Sequence, residues 1–120
     1  MNSWFGSREM EIESQGNAKR YRTFVRESEV AVAGASLLWV LADEHEATID
    51  DGCFTVTMDD SRPFGSFPGA RHDRAYALNF ADSHVELFKL RDTNSLLGPF
   101  VPQPASNPDW LRLKLLTTIQ

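Results

Sequence analysis

The segment Tyr76–Leu90, with the sequence YALNFADSHVELFKL, constrains the fold of this chain most strongly. Apolar residues alternate with small or polar ones up to Phe80, and a second alternation begins at Val85. Alternation of period two is typical of a β-strand with one buried face. Two such runs on either side of Asp82 and Ser83 predict a β-hairpin with a two-residue turn. The chain must therefore contain antiparallel strands.

Two more segments have the composition of strands. Residues 36–42, SLLWVLA, form a short apolar run that ends abruptly in acidic residues, which predicts a strand buried on both faces. Residues 53–58, CFTVTM, follow a turn signal and are β-branched or aromatic, which predicts another strand. Together with the hairpin, these segments predict a small antiparallel sheet of about four strands.

Helices are predicted at two places. Residues 23–32 carry apolar side chains near helical spacing, so we expect a short helix that ends before Gly34. Asn107 can cap a helix that begins at Pro108 and extends to residue 119. The apolar face of this C-terminal helix would pack on the sheet, and it would comprise Trp110, Leu113 and Thr117 with Leu111 and Leu115 beside them.

The overall composition fits a single folded domain of the α+β class. The chain has 120 residues, of which 42% are hydrophobic and 24% charged, and this length permits one modest core. We expect one domain over residues 1–120, with an irregular segment 1–22, a sheet region 23–92, a proline-rich loop 93–107 and a helix 108–119.

Charge and cysteine content exclude several classes of function. The net charge is −5 and the chain has no basic run, which argues against binding to nucleic acid or to an anionic membrane surface. No apolar stretch is long enough to span a bilayer. The single cysteine, Cys53, excludes an internal disulfide and a multi-cysteine zinc cluster.

Two acidic clusters could bind a metal ion. Asp43 and Glu44, followed by His45, come directly after the first predicted strand, where they are either ligands or a solvated strand end. Asp50 and Asp51 precede a glycine, and adjacent carboxylates can bind a hard cation such as Ca²⁺. An Asp-Gly turn needs the same residue types without a metal, and the following residues lack the EF-hand pattern. Turn chemistry is therefore the simpler interpretation.

A third cluster comprises His72, Asp82 and His84. Two histidines and a carboxylate could bind a transition metal or act as an acid and base pair. The strand between His72 and the hairpin tip advances by ~3.3 Å per residue, so His72 should lie at the opposite end of the hairpin. A structural role for His72 is the simpler hypothesis. The sequence also lacks GxSxG, HExxH, CxxC and glycine-rich phosphate-loop motifs.

The hairpin region resembles the bacterial prepilin-type, processing-associated H-X9-DG domain. In RHDRAYALNFADSHVELFK, nine residues separate His72 from Asp82, as in the family motif, which continues FADGHV where this chain has FADSHV. WVLADEHEATIDDGCF and MNSWFG are similar to two other segments of that family. Ser83 stands where the family has glycine, and a tight turn with positive φ would resist serine by about 1 kcal/mol.

The resemblance implies the globular part of a pilin-like or pseudopilin-like protein, related to type IV pili and type II secretion. Such proteins have an N-terminal hydrophobic helix, which this chain does not contain, and a globular part with an antiparallel sheet. The implied partners are other pilin-like subunits, and the implied location is the cell envelope. The resemblance also implies no catalysis, and pseudopilins that hold calcium suggest Asp43, Glu44, Asp50 and Asp51 as possible calcium ligands.

Two alternatives from other functional classes stay open. The first is a metal-dependent hydrolase or processing protease that uses His45, His72, Asp82 and His84. The second is a small binding module that uses the loops 62–71 and 98–104 as recognition surfaces.

Overall fold

The structure is a computed structural model that describes residues 1–5, 23–56, 58 and 64–118. Most of the predicted irregular segment 1–22 and the start of the loop 62–71 lie outside the described residues. The fold is α+β, with three helices and three strands in the described part of the chain. In chain order these elements are α1 (Glu27–Ala33), β1 (Trp39–Ala42), β2 (Ala75–Phe80), β3 (Val85–Lys89), α2 (Thr93–Leu96) and α3 (Pro108–Leu115).

The three strands form one antiparallel sheet in the order β1-β2-β3. The predicted hairpin is formed by β2 and β3, with Tyr76 paired to Phe88 and Asn79 paired to Val85. β1 pairs with the other edge of β2, with Trp39 opposite Phe80. A register shift between Trp39 and Leu41 marks a bulge in β1. β2 is therefore the central strand and is paired along both edges.

One face of the sheet packs on the core. Tyr76, Leu78 and Phe80 of β2 are buried, as the alternation of the sequence predicts. Buried residues from other parts of the chain complete the core, namely Trp4, Trp39, Phe54, Val56, Met58, Phe67, Leu90 and Leu113.

The prediction that residues 36–42 form a strand buried on both faces is wrong. The strand covers only Trp39–Ala42, and Leu41 on its outer face is half exposed. The outer face of β1 continues the outer face of β2 and β3, which also carries exposed apolar side chains. An apolar run alone cannot distinguish a doubly buried strand from a strand with an apolar outer face.

The predicted strand at 53–58 forms no sheet pairing among its described residues, so the sheet has three strands where about four are expected. Phe54, Val56 and Met58 are nevertheless buried, as in a strand with one face on the core. Phe54 forms a single parallel bridge with Asn2 instead of a ladder. The expected strand is therefore not formed among the described residues of this segment, although most of its described side chains are buried.

Both predicted helices exist, with shorter bounds. α1 begins at Glu27, where the Glu29 carboxylate accepts hydrogen bonds from the backbone nitrogens of Val25 and Arg26 at 2.8 and 2.9 Å. It ends before Gly34, whose φ of 95° suits a glycine. In the predicted loop 93–107, Asp92 caps the short helix α2 by accepting a hydrogen bond from the Asn94 nitrogen at 2.8 Å.

The C-terminal helix α3 begins as predicted and ends early. The Asn107 side chain accepts hydrogen bonds from the backbone nitrogens of Asp109 and Trp110 at 2.9 and 3.3 Å, and Pro108 is the first helical residue. The helix ends at Leu115 instead of residue 119. Leu115 is exposed, so the apolar face is narrower than the sequence suggests.

Residues 1–5 form no helix or strand, and the middle of this segment is nevertheless part of the core. Asn2, Ser3 and Trp4 are buried. The Trp4 indole nitrogen donates to the Val56 carbonyl at 2.9 Å, and the backbone nitrogen of Asn2 donates to the Val40 carbonyl at 2.7 Å. This segment thus connects β1 to the residues around Phe54. None of the helices in the described part of the chain has the length and apolar character of a membrane span.

Candidate functional site

The tip of the hairpin is a three-residue loop, not the predicted two-residue turn. The backbone nitrogen of Ser83 donates to the Phe80 carbonyl at 2.9 Å, while the nitrogen of Phe80 donates to the His84 carbonyl at 2.8 Å. Ser83 has a φ of 76°. A turn followed by a residue in the left-handed region is the usual form of a three-residue hairpin loop. Glycine adopts this conformation at position 83 without strain, whereas serine there lowers the free energy of unfolding.

The loop at the tip is fixed to the segment that precedes β1. The backbone nitrogen of Ala81 donates to the Leu38 carbonyl at 2.9 Å, and that of Asp82 donates to the Ala35 carbonyl at 3.2 Å. The Asp82 carboxylate accepts a hydrogen bond from the backbone nitrogen of His84 at 3.1 Å. Asp82 thus sets the shape of the tip.

His84 lies between two carboxylates at the start of β3. Its Nδ1 atom contacts an oxygen of Asp82, and its Nε2 atom lies 3.3 Å from Oε1 of Glu86. The imidazole ring stacks on Phe80 with a centroid distance of 4.3 Å and an interplanar angle of 6°. The hydrogen bond with Asp82 raises the pKa of His84 above its ordinary value of 6.5, and it lowers the pKa of Asp82 below 3.8.

His72 lies at the other end of β2. Its backbone nitrogen and carbonyl both bond to Ala75, at 3.2 and 3.0 Å, and close a two-residue turn. Asp73 and Arg74 in this turn have φ values of 52° and 64°, which define a type I′ turn. The His72 side chain lies 3.8 Å from the Asp43 carboxylate.

The structure does not bring the three histidines and Asp82 together at one site. The six residues of β2, which span about 20 Å at ~3.3 Å per residue, separate the turn at His72 from the loop at Asp82. The His45 ring instead packs edge-on against Phe67, with 6.2 Å between the centroids. The structure therefore gives His45, His72 and His84 different neighbours.

Asp43 and Glu44 extend the edge of the sheet after β1. The Asp43 carboxylate accepts a hydrogen bond from the backbone nitrogen of Ala77 at 3.2 Å, in continuation of the β1–β2 pairing. The Glu44 backbone forms an antiparallel bridge with Pro68, and its carboxylate lies 3.1 Å from the Thr48 hydroxyl.

Asp50 and Asp51 form the turn that precedes Cys53. The Asp51 carboxylate accepts a hydrogen bond from the backbone nitrogen of Cys53 at 2.9 Å, and this bond lowers the pKa of Asp51. Asp50 accepts a hydrogen bond from the Asp51 nitrogen at 2.8 Å. Within the described ranges, no group of three or more His, Cys, Asp or Glu side chains is arranged to hold a metal ion.

The hairpin carries an apolar outer face on the side away from the core. Leu41, Val85 and Leu87 are 52%, 60% and 64% exposed, and the register of the sheet places them on the same face. The Phe80 nitrogen donates a hydrogen bond to the His84 carbonyl, and the Leu90 nitrogen donates to the Arg74 carbonyl. The backbone N–H and C=O groups of the even-numbered residues of β3 therefore point toward β2. The backbone groups of Val85 and Leu87 therefore point to the outer edge of the sheet.

Sequence reasoning did not assign a role to Arg74 or to the outer face of β3. Arg74 occupies a position of the type I′ turn that usually takes glycine, and no turn signal marks it in the sequence. The exposure of Val85 and Leu87 could have been recognised, because both lie on the hairpin face opposite Phe88 and the buried residues of β2.

In comparisons with known proteins, no family model matches this chain, no curated protein is significantly similar to it, and no solved structure is significantly similar to its fold.

The strained position at the hairpin tip predicts a stabilising substitution. Ser83→Gly should raise the free energy of unfolding by about 0.5 to 1 kcal/mol, because glycine adopts a positive φ without the steric penalty of a Cβ atom. Urea unfolding followed by tryptophan fluorescence measures the change. The matched control is Ser106→Gly, an exposed serine whose φ is not positive. If both substitutions destabilise the protein equally, the left-handed conformation at Ser83 is wrong.

The contact between His84 and Asp82 predicts a pH dependence of stability. A histidine whose pKa is raised by folding stabilises the protein below its unfolded pKa and loses this contribution as pH rises through the folded pKa. The lowered pKa of Asp82 sets the lower end of the pH range in which this contact stabilises the protein, because protonation of Asp82 removes the charge that His84 contacts. The stability difference between the native protein and His84→Gln should therefore be largest between pH 3.8 and 6.5, and it should shrink at higher pH.

Urea unfolding at about pH 5 and about pH 8 measures this difference. An NMR titration of the His84 ring provides an independent reading, in which its pKa should fall toward the ordinary value in the Asp82→Asn variant. A His84 pKa that is the same in both proteins would contradict the role given to Asp82.

Proposed function

We propose that this chain is the globular domain of a pseudopilin-like protein of a type II secretion or type IV pilus-like system. In this proposal it is not an enzyme, and it acts by packing against other pilin-like subunits in a filament of the cell envelope. The observation that carries the proposal is that the residues of the H-X9-DG-like motif build a hairpin with an apolar outer face. An N-terminal apolar helix outside this chain would supply the main contact within the filament.

The roles of the motif residues support a structural function. His72 closes the turn before β2 through its backbone, and Asp82 accepts a backbone hydrogen bond at the tip. Position 83 has a positive φ, which explains in physical terms why a motif of this kind would contain glycine there. Each of these roles shapes the hairpin and requires no reaction at the side chains.

The exposed side of the hairpin supports a packing function. Leu41, Val85 and Leu87 expose apolar surface on one face, with Asn79 between Leu41 and Val85, and exposed apolar surface can mark a protein interaction site. A neighbouring subunit could cover this face and pair with the outer edge of β3 at the same time. The edge is short, since the Arg112 guanidinium already donates to the Lys89 carbonyl at 3.0 Å.

The test introduces a charge on this face in the bacterium that carries the gene. Leu87→Glu should leave the domain folded, because Leu87 is exposed and makes little contact with the core. We expect recovery of the protein with sheared envelope filaments to fall about tenfold, the factor that corresponds to about 1.4 kcal/mol of binding free energy.

The matched control is Val32→Glu, which places the same charge on an exposed apolar position of α1. Thermal unfolding of the purified variants checks that both remain folded. The proposal is contradicted if the native protein never occurs in the filament fraction, or if the two variants are recovered equally.

A further inference from the structure

We propose that a pocket beside residues 67–71 binds a carboxylate group that carries a small apolar substituent. The pocket has a volume of 270 Å³, and its walls come from both loops that the sequence suggests as recognition surfaces. Phe67, Leu90 and Leu96 supply apolar surface, while Arg71, Arg74 and His45 supply polar groups. Small-molecule sites commonly combine apolar surface with a few polar groups that fix the ligand.

Arg71 is held in place on the rim of the pocket. Its Nη2 atom donates to the Glu46 carboxylate at 2.6 Å. A Cβ atom at Gly69 would lie 2.9 Å from Nη1 of Arg71 and 3.0 Å from the Glu44 carbonyl, so only glycine leaves room for this arrangement. The backbone nitrogen of Gly69 donates to the Asp43 carbonyl at 2.9 Å and fixes the loop to the end of β1.

Arg74 supplies the net positive charge of the pocket. The charge of Arg71 is balanced by Glu46, which also lines the pocket, whereas the Arg74 guanidinium has no carboxylate partner among the residues that the structure describes. Arg74 has a φ of 64°, in a region that residues with a side chain rarely adopt. Strained residues of this kind cluster at binding sites, where the side chain has a use that offsets the strain.

His45 adds a hydrogen-bond donor. Its Nδ1 atom accepts a hydrogen bond from the backbone nitrogen of Ala47 at 3.1 Å, which leaves Nε2 as the ring nitrogen that can donate. A guanidinium and an imidazole N–H donor suit a carboxylate, which a planar guanidinium can bind through two parallel hydrogen bonds.

The size of the pocket restricts the ligand. Its volume lies near the lower end for ligand sites, about 300 Å³, so the apolar substituent is no larger than a single aliphatic side chain. A carboxylate with such a substituent occurs in small branched-chain acids and at the C-terminal residue of a polypeptide. This inference is independent of the proposed packing function, because the two involve different surfaces.

The experiment titrates the ¹⁵N-labelled protein with two carboxylates and their uncharged analogues. The probes are 4-methylpentanoate and N-acetyl-leucine, and the controls are the corresponding primary amides. We expect both carboxylates to cause saturable shifts of the backbone amides of Gly69, Arg71 and Gly98, while the amides cause none. Tighter binding of N-acetyl-leucine indicates a polypeptide C-terminus as the source, and tighter binding of 4-methylpentanoate indicates a free acid.

Three variants separate a binding role from a structural one. Arg74→Gln should weaken binding about tenfold or more, because it removes a hydrogen bond between charged groups. Arg91→Gln, which removes the same charge outside the pocket lining, should leave binding unchanged. Glu46→Gln should tighten binding, because it removes a negative charge from the pocket and frees the guanidinium of Arg71.

Two results would overturn the inference. The first is that the primary amides shift the same resonances with the same affinity as the carboxylates. The second is that Arg74→Gln and Arg91→Gln bind the probes equally well.

Discussion

The side-chain amide of Asn2 joins three parts of the chain inside the protein. Its Nδ2 atom donates to the carbonyls of Trp39 and Thr117 at 2.8 and 3.1 Å, and its Oδ1 atom accepts a hydrogen bond from the Trp4 nitrogen at 3.0 Å. Asn2 is completely buried. A buried polar group without its partners costs about 1 to 3 kcal/mol, so the hydrogen bonds of Asn2 favour the joint packing of residues 2–4, β1 and the segment around Thr117.

This junction covers one edge of the sheet, so that among the described residues the other edge is the one without a neighbouring strand. The nitrogen of Asn2 donates to the Val40 carbonyl at 2.7 Å, and the nitrogen of Trp39 donates to the Leu116 carbonyl at 3.2 Å, so the outer edge of β1 is covered. The opposite edge belongs to β3, which is the second strand of the hairpin. The same arrangement therefore buries Asn2, Ser3 and Trp4, and it leaves the outer edge of β3 without a strand partner among the described residues. The proposed packing function depends on this edge and on the exposed face of the hairpin.

The sequence predicted those features that local patterns determine. The alternation around Phe80 defined the hairpin, and Asn107 with Pro108 marked the start of the last helix, because capping depends on adjacent residues. Features that depend on contacts between residues far apart in the sequence were not predicted. Asn2 has the sequence character of a polar loop residue, and its burial depends on hydrogen bonds to Trp39 and Thr117. The pocket likewise depends on the packing of residues 67–71 near Gly98, which lies far along the chain.

The central role of Asn2 can be measured directly by equilibrium unfolding of Asn2→Ala in urea. We expect a loss of about 3 kcal/mol in the free energy of unfolding, since two donors and one acceptor disappear from a buried site and leave backbone groups unpaired. Asn79→Ala, on the outer face of β2, should change the free energy of unfolding by less than about 0.5 kcal/mol. A loss at Asn2 no larger than the loss at Asn79 would show that the Asn2 amide does not hold these parts of the chain together.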